Sequence, residues 1–343
     1  MGNRSPSSLP IAYGPRPLSR HETVTPLPPG IHRIASELGP RPFAQYLLRG
    51  DRTMLVDTGI ATTPADVILP WLAERGIDPA EIDDVLISHA DVDHFGGNSA
   101  LRAAAPRARF LAHACDVAWV ESKERILAER YGWYAAHGPE ADYDADTKAF
   151  LPTGIGDDIP VDIHLQGGER FRIGPELTVE VLHLPGHTDG HVGLWDPASR
   201  TAIVIDAVLG SGLTDFAGDI LQPPPYFDAE VYEATVAELR ALAPARLLTA
   251  HYPVMEGDAV EDFLDRSAAF VPLARAAVAE ALQRRGTATL GQLLSDLNPV
   301  LGPFTSFANE LGGPIRAHLR ELVEVGRATY GRDAVPPTWT WMS

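Results

Sequence analysis

The run DDVLISHADVDHFGG, residues 83–97, passes directly from an apolar, β-branched stretch into a cluster of two histidines and two aspartates, His89, Asp91, Asp93 and His94. A short apolar run that ends in ionisable groups reads as a buried strand opening onto a polar site. The same punctuation recurs along the chain. Asp57 closes LVD, His187 follows TVEVLHLPG, Asp206 closes TAIVI and His251 closes RLLTA. Between these runs lie stretches with helical spacing: ADVILPWLAERG with Gly76 as its C-cap, GGNSALRAAAP, and DAEVYEATVAELRAL with Asp228 as its N-cap. Strand, helix, strand alternation predicts a layered α/β domain.

Around this frame, AQYLLRGDRTMLVDTG predicts two short strands joined by a turn at Arg49–Arg52, and ARFLAHA a further strand. DVAWVESKERILAERYGWYAAHG reads as one long helix. Residues 139–160, rich in Pro, Gly and Asp, predict an irregular excursion over the surface. VDIHL, FRI, TVEVLHL, HVGLWD and TAIVIDAV follow at meander-like spacing, which predicts antiparallel pairing. The last 78 residues change character, with three helical stretches and a closing hairpin in RATYGRDAVPPTWTWM, a winged-helix-like pattern. The resulting division is a flexible N-terminal arm over 1–30, an α/β domain over 31–265 with an inserted segment at 120–175, and a helical unit over 266–343.

Composition narrows the partners. The net charge of −18 opposes a nonspecific grip on nucleic acid or an anionic membrane. The C-terminal unit carries eight Arg against six Asp and Glu, but its helices show no basic run, so packing or homodimerisation is expected of it rather than DNA binding. No apolar run reaches the roughly 18–20 residues that span a bilayer. The N-terminus lacks the apolar core of a secretory signal, and the expected setting is cytoplasmic. The single cysteine, Cys115, reads as a small buried hydrophobe rather than a reactive thiol.

His89, Asp91, Asp93, His94, His187, Asp206 and His251 all fall at or just past strand ends. Seven such groups are enough to ligate two divalent ions, each completing its shell with water. His191, four positions after His187, is a supporting candidate, and His113 and His183 are weaker ones. Tyr226 in QPPPYF and Tyr252 beside His251 are candidates for substrate contact, and Tyr131, Trp133, Tyr134 and Phe227 for the cleft wall.

The motifs SHADVDHFGG, LPGHTDGH, VIDAV and LTAHYP, preceded by LVDTG, resemble in order those of the metallo-β-lactamase superfamily over about residues 40–265. That resemblance implies a four-layer αβ/βα sandwich with a binuclear centre in the cleft between its sheets. It assigns His89, Asp91 and His187 to a first metal ion, Asp93, His94 and His251 to a second, Asp206 to a bridge, and Asp57 to the orientation of a ligand. The usual pattern is His-x-His-x-Asp-His. Here Asp91 stands at the second histidine, a harder and charged donor that weakens the preference for zinc and admits iron or manganese. Flavodiiron proteins of the same superfamily carry a glutamate there and hold iron.

The function expected from this set is a metal-dependent hydrolase of the glyoxalase II-like or lactonase-like kind. A metal-bridged hydroxide would attack an ester, thioester or lactone carbonyl of a small metabolite, with a metal-bound water or Asp93 moving the proton. Zinc is the first choice of metal. Two rival readings use the same fold: a non-haem diiron or manganese oxidoreductase, and a non-catalytic binding protein.

Overall fold

The computed structural model describes residues 25–342 together with the backbone of a strand at Pro15–Pro17. Most of the arm expected over 1–30 lies outside the described residues. The first sheet takes its strands in chain order, β1 (Pro15–Pro17), β2 (Ile31–Leu38), β3 (Arg41–Arg49), β4 (Thr53–Val56), β5 (Asp84–Leu86), β6 (Arg109–His113) and β7 (Ile163–Leu165). Pairing is antiparallel from β1 to β4 and parallel from β4 to β7. The second sheet is formed by β8 (Arg170–Arg172), β9 (Thr178–His183), β10 (Val192–Asp196) and β11 (Thr201–Ile205). After a small hairpin, β12 (Leu213–Thr214) and β13 (Ile220–Gln222), it is completed by β14 (Arg246–Thr249) and β15 (Met255–Glu256), in the order β15-β14-β11-β10-β9-β8.

The inner faces of the two sheets share one core, in which Ile34, Leu47 and Leu55 pack with Val181, Leu194 and Ile203. Helices follow the strands that run parallel, because a parallel pair needs a crossover long enough to return the chain. Thus Asn98–Ala104 links β5 to β6, and Ala229–Leu242, capped by Asp228 accepting from the Val231 amide, links β11 to β14. With helices on the outer faces, the architecture is the four-layer αβ/βα sandwich. No helix among the described residues is long and apolar enough to cross a membrane.

Several local expectations are corrected. The stretch 116–138 is a series of short turns, Val117–Val120, Lys123–Ile126, Leu127–Tyr131 and Tyr134–His137, rather than one helix. Ser122 interrupts it by accepting from the Arg125 amide, which starts a new helix where the old one would have continued. The segment 139–160 contains the helix Ala145–Gly154, started by Asp144 accepting from the Thr147 amide. The strand in VDIHL joins the first sheet parallel to β6, since this helical detour returns it in the same direction. Cys115 is exposed, because β6 ends at His113 and the thiol sits on the turn beyond it.

In the C-terminal part, Asp258–Arg285 is one continuous helix, so residue 266 falls in its interior. Helices Leu290–Leu301 and Gly312–Glu324 follow, with a three-stranded sheet of β16 (Thr287–Thr289), β17 (Ala328–Gly331) and β18 (Thr338–Trp341) in the order β16-β18-β17. Leu293, Ile315, Leu319 and Trp339 belong to the same buried cluster as Leu184, Tyr232 and Leu247. The C-terminal unit is therefore built onto the outer side of the second sheet, not tethered beside it.

Candidate metal centre

Each histidine and aspartate of the cluster follows the end of a strand. β4 stops at Val56 and Asp57 turns the chain at φ 63°; β11 stops at Ile205, whose φ of 52° precedes Asp206. A β-branched residue in the left-handed region is strained, and such strain persists where surrounding packing imposes it. The loop after β5 carries His89 to His94, and the tight Gly96–Gly97 pair lets it pass close to the backbone of Gly154 and Thr58.

The four histidines follow one rule. Nδ1 of His187 donates to the Pro225 carbonyl and Nδ1 of His251 to that of Pro42, both at 3.0 Å. Nδ1 of His94 donates to Asp57 Oδ2 at 2.8 Å. The Ser88 hydroxyl donates to Asp57 Oδ2 at 2.8 Å and so accepts from His89 Nδ1 at 2.9 Å. With every Nδ1 committed outward, every Nε2 lone pair is turned inward. This anchoring of the outer ring nitrogen is what a metal-ligating histidine requires.

Inside, His89 Nε2 and His187 Nε2 lie 3.1 Å apart, with Asp91 Oδ2 3.0 Å from the second and 3.7 Å from the first. Donors about 2.0–2.1 Å from a tetrahedral ion are separated by about 3.3 Å, so this triangle is of the size one ion needs. Two imidazole acceptors at such a distance require a proton or a cation between them. On the other side Asp206 Oδ2 is 3.4 Å from His94 Nε2 and 3.2 Å from His251 Nε2, and Asp93 reaches each of these imidazoles at 3.9 Å. The Nε2 atoms of His94 and His251 and Oδ1 of Asp206 are buried without a hydrogen-bond partner. His89, Asp91 and His187 form one compact group of donors, Asp93, His94 and His251 another, and Asp206 joins His89 and His94 in a third. The donor set fits divalent metal.

The field has the matching sign. Burial disfavours a charged His94, yet Asp206, Asp93 and Asp57 outweigh it and raise its affinity for a proton well above the ordinary value. His187 is raised likewise, with Asp91 overcoming burial. The negative potential that attracts a proton there also attracts a cation. Burial and the neighbouring imidazoles push His89 well below its usual value, which leaves it neutral.

A cavity of about 60 Å³ lies over the cluster. Asp91, Asp93, Asp206, His187 and His251 reach its wall, and Leu38, Phe150, Leu213 and Phe307 make it apolar elsewhere.

Of the other candidates, His191 is buried and stacks on the His89 ring at 4.6 Å. Tyr226 is fully buried in the second core, its hydroxyl 2.7 Å from His318 Nε2, and is absent from the cavity wall, where its neighbour Pro225 stands. Tyr252 likewise turns away from the cavity: its hydroxyl donates to the carbonyls of Leu209 and Gly212 and so pins the loop after Asp206. Tyr131 lines the cavity, whereas Trp133, Tyr134 and Phe227 stand behind it. His113 stacks on His183 at 4.0 Å, away from the cluster.

Sequence reading misses four contributors. Asp116, buried, accepts from the Ala90 amide at 3.0 Å, the Thr188 hydroxyl at 2.7 Å and the Gly190 amide at 2.8 Å, and so ties the His89–His94 loop to the His187–His191 loop. A side chain at Gly190 would collide with that carboxylate, 2.6 Å from where its Cβ would lie. Arg130 pairs with Asp91 at 3.3 Å and Tyr131 donates to the same carboxylate at 3.1 Å. Burial would push Asp91 up, but Arg130 and His187 prevail and hold it well below the usual carboxylate range. Arg41 donates to Gln222 at 2.7 Å on one wall, and Glu310, from the C-terminal unit, accepts from Tyr143 at 2.7 Å on another. The only signal for Arg130 is a cation set among aromatic residues in RYGWY.

The chain belongs to the metallo-beta-lactamase superfamily, whose model matches residues 38–251. It is 24% identical over 237 residues to the "Probable metallo-hydrolase YflN" of Bacillus subtilis, a match covering 66% of this chain and 86% of that protein. A hydroxyacylglutathione hydrolase of Methylococcus capsulatus is 31% identical over 153 residues, 42% of this chain; the match spans about half of that relative's length, 54%. Among solved structures, a metallo-beta-lactamase family protein of Thermus thermophilus shares the fold at a TM-score of 0.70 and 20% identity, over 92% of this chain and 99% of its own.

Proposed function

We propose that the protein is a metal-dependent hydrolase of an ester, thioester or lactone bond in a small metabolite, with the catalytic machinery in residues 31–265 and the unit over 266–343 closing one side of its pocket. The observation that carries this reading is the shared orientation of four imidazoles, each anchored through Nδ1 and presenting Nε2 to a group of three carboxylates under a cavity. His89, Asp91 and His187 would hold one divalent ion and Asp93, His94 and His251 a second, with Asp206 between them, and zinc is the metal we favour. Bound there, such ions polarise a carbonyl and bring the pKa of water toward neutrality.

The chain's own residues do the rest. Asp93, at the cavity wall and partly open to it, holds a proton acceptor beside the reacting bond. Leu38, Phe150 and Phe307 exclude bulk water and favour an apolar acyl group, while Arg41 and Glu310 offer a cation and a carboxylate for the polar remainder of a substrate. The match to a hydroxyacylglutathione hydrolase supports thioesters among the first substrates to try.

The test is hydrolysis of an ester, thioester and lactone panel by protein loaded with zinc, iron or manganese, beside Asp206→Ala and His251→Ala. Metal-dependent turnover that both substitutions abolish is expected. A fully loaded protein that turns over none of the panel would overturn the proposal, and iron-dependent oxygen reduction would replace it with the oxidoreductase reading.

A further inference from the structure

The two halves of the cluster differ in what stands behind their carboxylates. Asp91 is already engaged: Arg130, almost wholly buried, lies 3.3 Å from Oδ1 and 3.4 Å from Oδ2, and Tyr131 donates to Oδ1 at 3.1 Å. Both partners come from the wide helical turn Leu127–Tyr131, a geometry often found at functional sites. Tyr131 is fixed in turn by accepting from the Val92 amide at 2.9 Å, one residue past Asp91. Asp93 is not held this way. Its nearest guanidinium, Arg41, is 3.8 Å off and directs its hydrogen bond to Gln222.

The His94 side has Asp93, with Arg41 at the longer distance of 3.8 Å, and Asp206, shared with His89 but with Oδ2 3.4 and 3.2 Å from the imidazoles of His94 and His251. The His89 side has two imidazoles, a share of Asp206, and Asp91, whose charge is opposed by Arg130 at 3.3 Å. A divalent ion entering the second arrangement meets a buried cation just behind Asp91, the one carboxylate that belongs to that position alone, and that repulsion is little screened away from solvent.

We infer that Arg130 sets the two metal positions apart, making the His89–Asp91–His187 position the weaker, so that the position of Asp93, His94, His251 and Asp206 fills first and the other fills only at higher free metal. Arg130 acts here as a positioning residue, through Asp91. The inference rests on the metal-binding reading above and deepens it.

The experiment is zinc titration of the full-length protein against a chromophoric chelator, with bound metal counted by elemental mass spectrometry after dialysis at graded free zinc. Two binding steps at least tenfold apart are expected. Asp91→Asn should remove the weaker step and Asp93→Asn the tighter one. Arg130→Gln should tighten the weaker step about tenfold and leave the tighter one in place, with circular dichroism verifying the fold. Should that variant not fold, Tyr131→Phe, which releases Oδ1 but keeps the cation, should shift the weaker step by a smaller factor in the same direction. Two ions leaving in a single step from the unaltered protein, or a separation unchanged in folded Arg130→Gln or, failing that, in Tyr131→Phe, would overturn the inference. Either result could coexist with intact hydrolysis by loaded enzyme, whereas absence of any bound zinc would sink the functional reading itself.

Discussion

Asp57 Oδ2 lies 2.8 Å from His94 Nδ1, and the same carboxylate accepts from both the amide and the hydroxyl of Ser88, at 2.7 and 2.8 Å. One buried side chain therefore orients His94 directly and His89 through Ser88. Groups behind metal ligands typically contribute a factor of about 10–100 in affinity. Asp57→Asn, which tolerates the left-handed backbone there, is expected to weaken zinc binding by about that factor in chelator competition, with circular dichroism verifying that the variant is folded. Unchanged zinc affinity would show that the carboxylate's charge is not used.

Asp116 joins the His89–His94 loop to the His187–His191 loop through three buried hydrogen bonds. Asp116→Ala leaves those donors unsatisfied at roughly 1–3 kcal/mol each before relaxation, so a loss of about 3 kcal/mol is expected from urea unfolding of the metal-free protein. A loss within about 0.5 kcal/mol, the range of ordinary surface changes, would mean that water replaces the carboxylate.

Phe307 closes one side of the cavity from the C-terminal unit. Its replacement by alanine should raise kcat/KM for octanoyl relative to butyryl esters by about tenfold, a modest gain for a hydrophobic pocket enlarged by a ring. A constant ratio between the two esters would remove Phe307 from the substrate wall.

His318 is buried between the Tyr226 hydroxyl at 2.7 Å and Glu321 at 2.8 Å, and burial, only partly offset by Glu321, lowers its pKa below the ordinary imidazole value. The unfolded chain then takes up a proton before the folded one does, so this group's contribution is full at neutral pH and declines as pH falls through about 6.5. His318→Gln is expected to flatten the dependence of stability on pH between about pH 7 and 5.5. An identical slope in the variant would exclude His318 as its source.

The amino-acid sequence by itself determined the strand ends and the histidines and aspartates they carry, because both are local properties. A β-branched run and the His or Asp that terminates it are neighbours in the chain, and alternation with helical spacing constrains them to a layered α/β sandwich. Only the tertiary structure decided what stands behind and around those residues. Arg130 meets Asp91 across 39 residues, Asp116 meets Gly190 across 74, and Glu310 meets Tyr143 across 167. An arginine, an aspartate or a glutamate in such a segment looks like any solvated charge until folding buries it. Tyr226 and Tyr252 show the converse, since an aromatic residue beside a ligand has the same local pattern whether its hydroxyl faces a substrate or, as here, His318 and two loop carbonyls. Local periodicity selects which face of a strand is buried; long-range packing selects which charges are buried together, and that pairing sets the chemistry of the cleft.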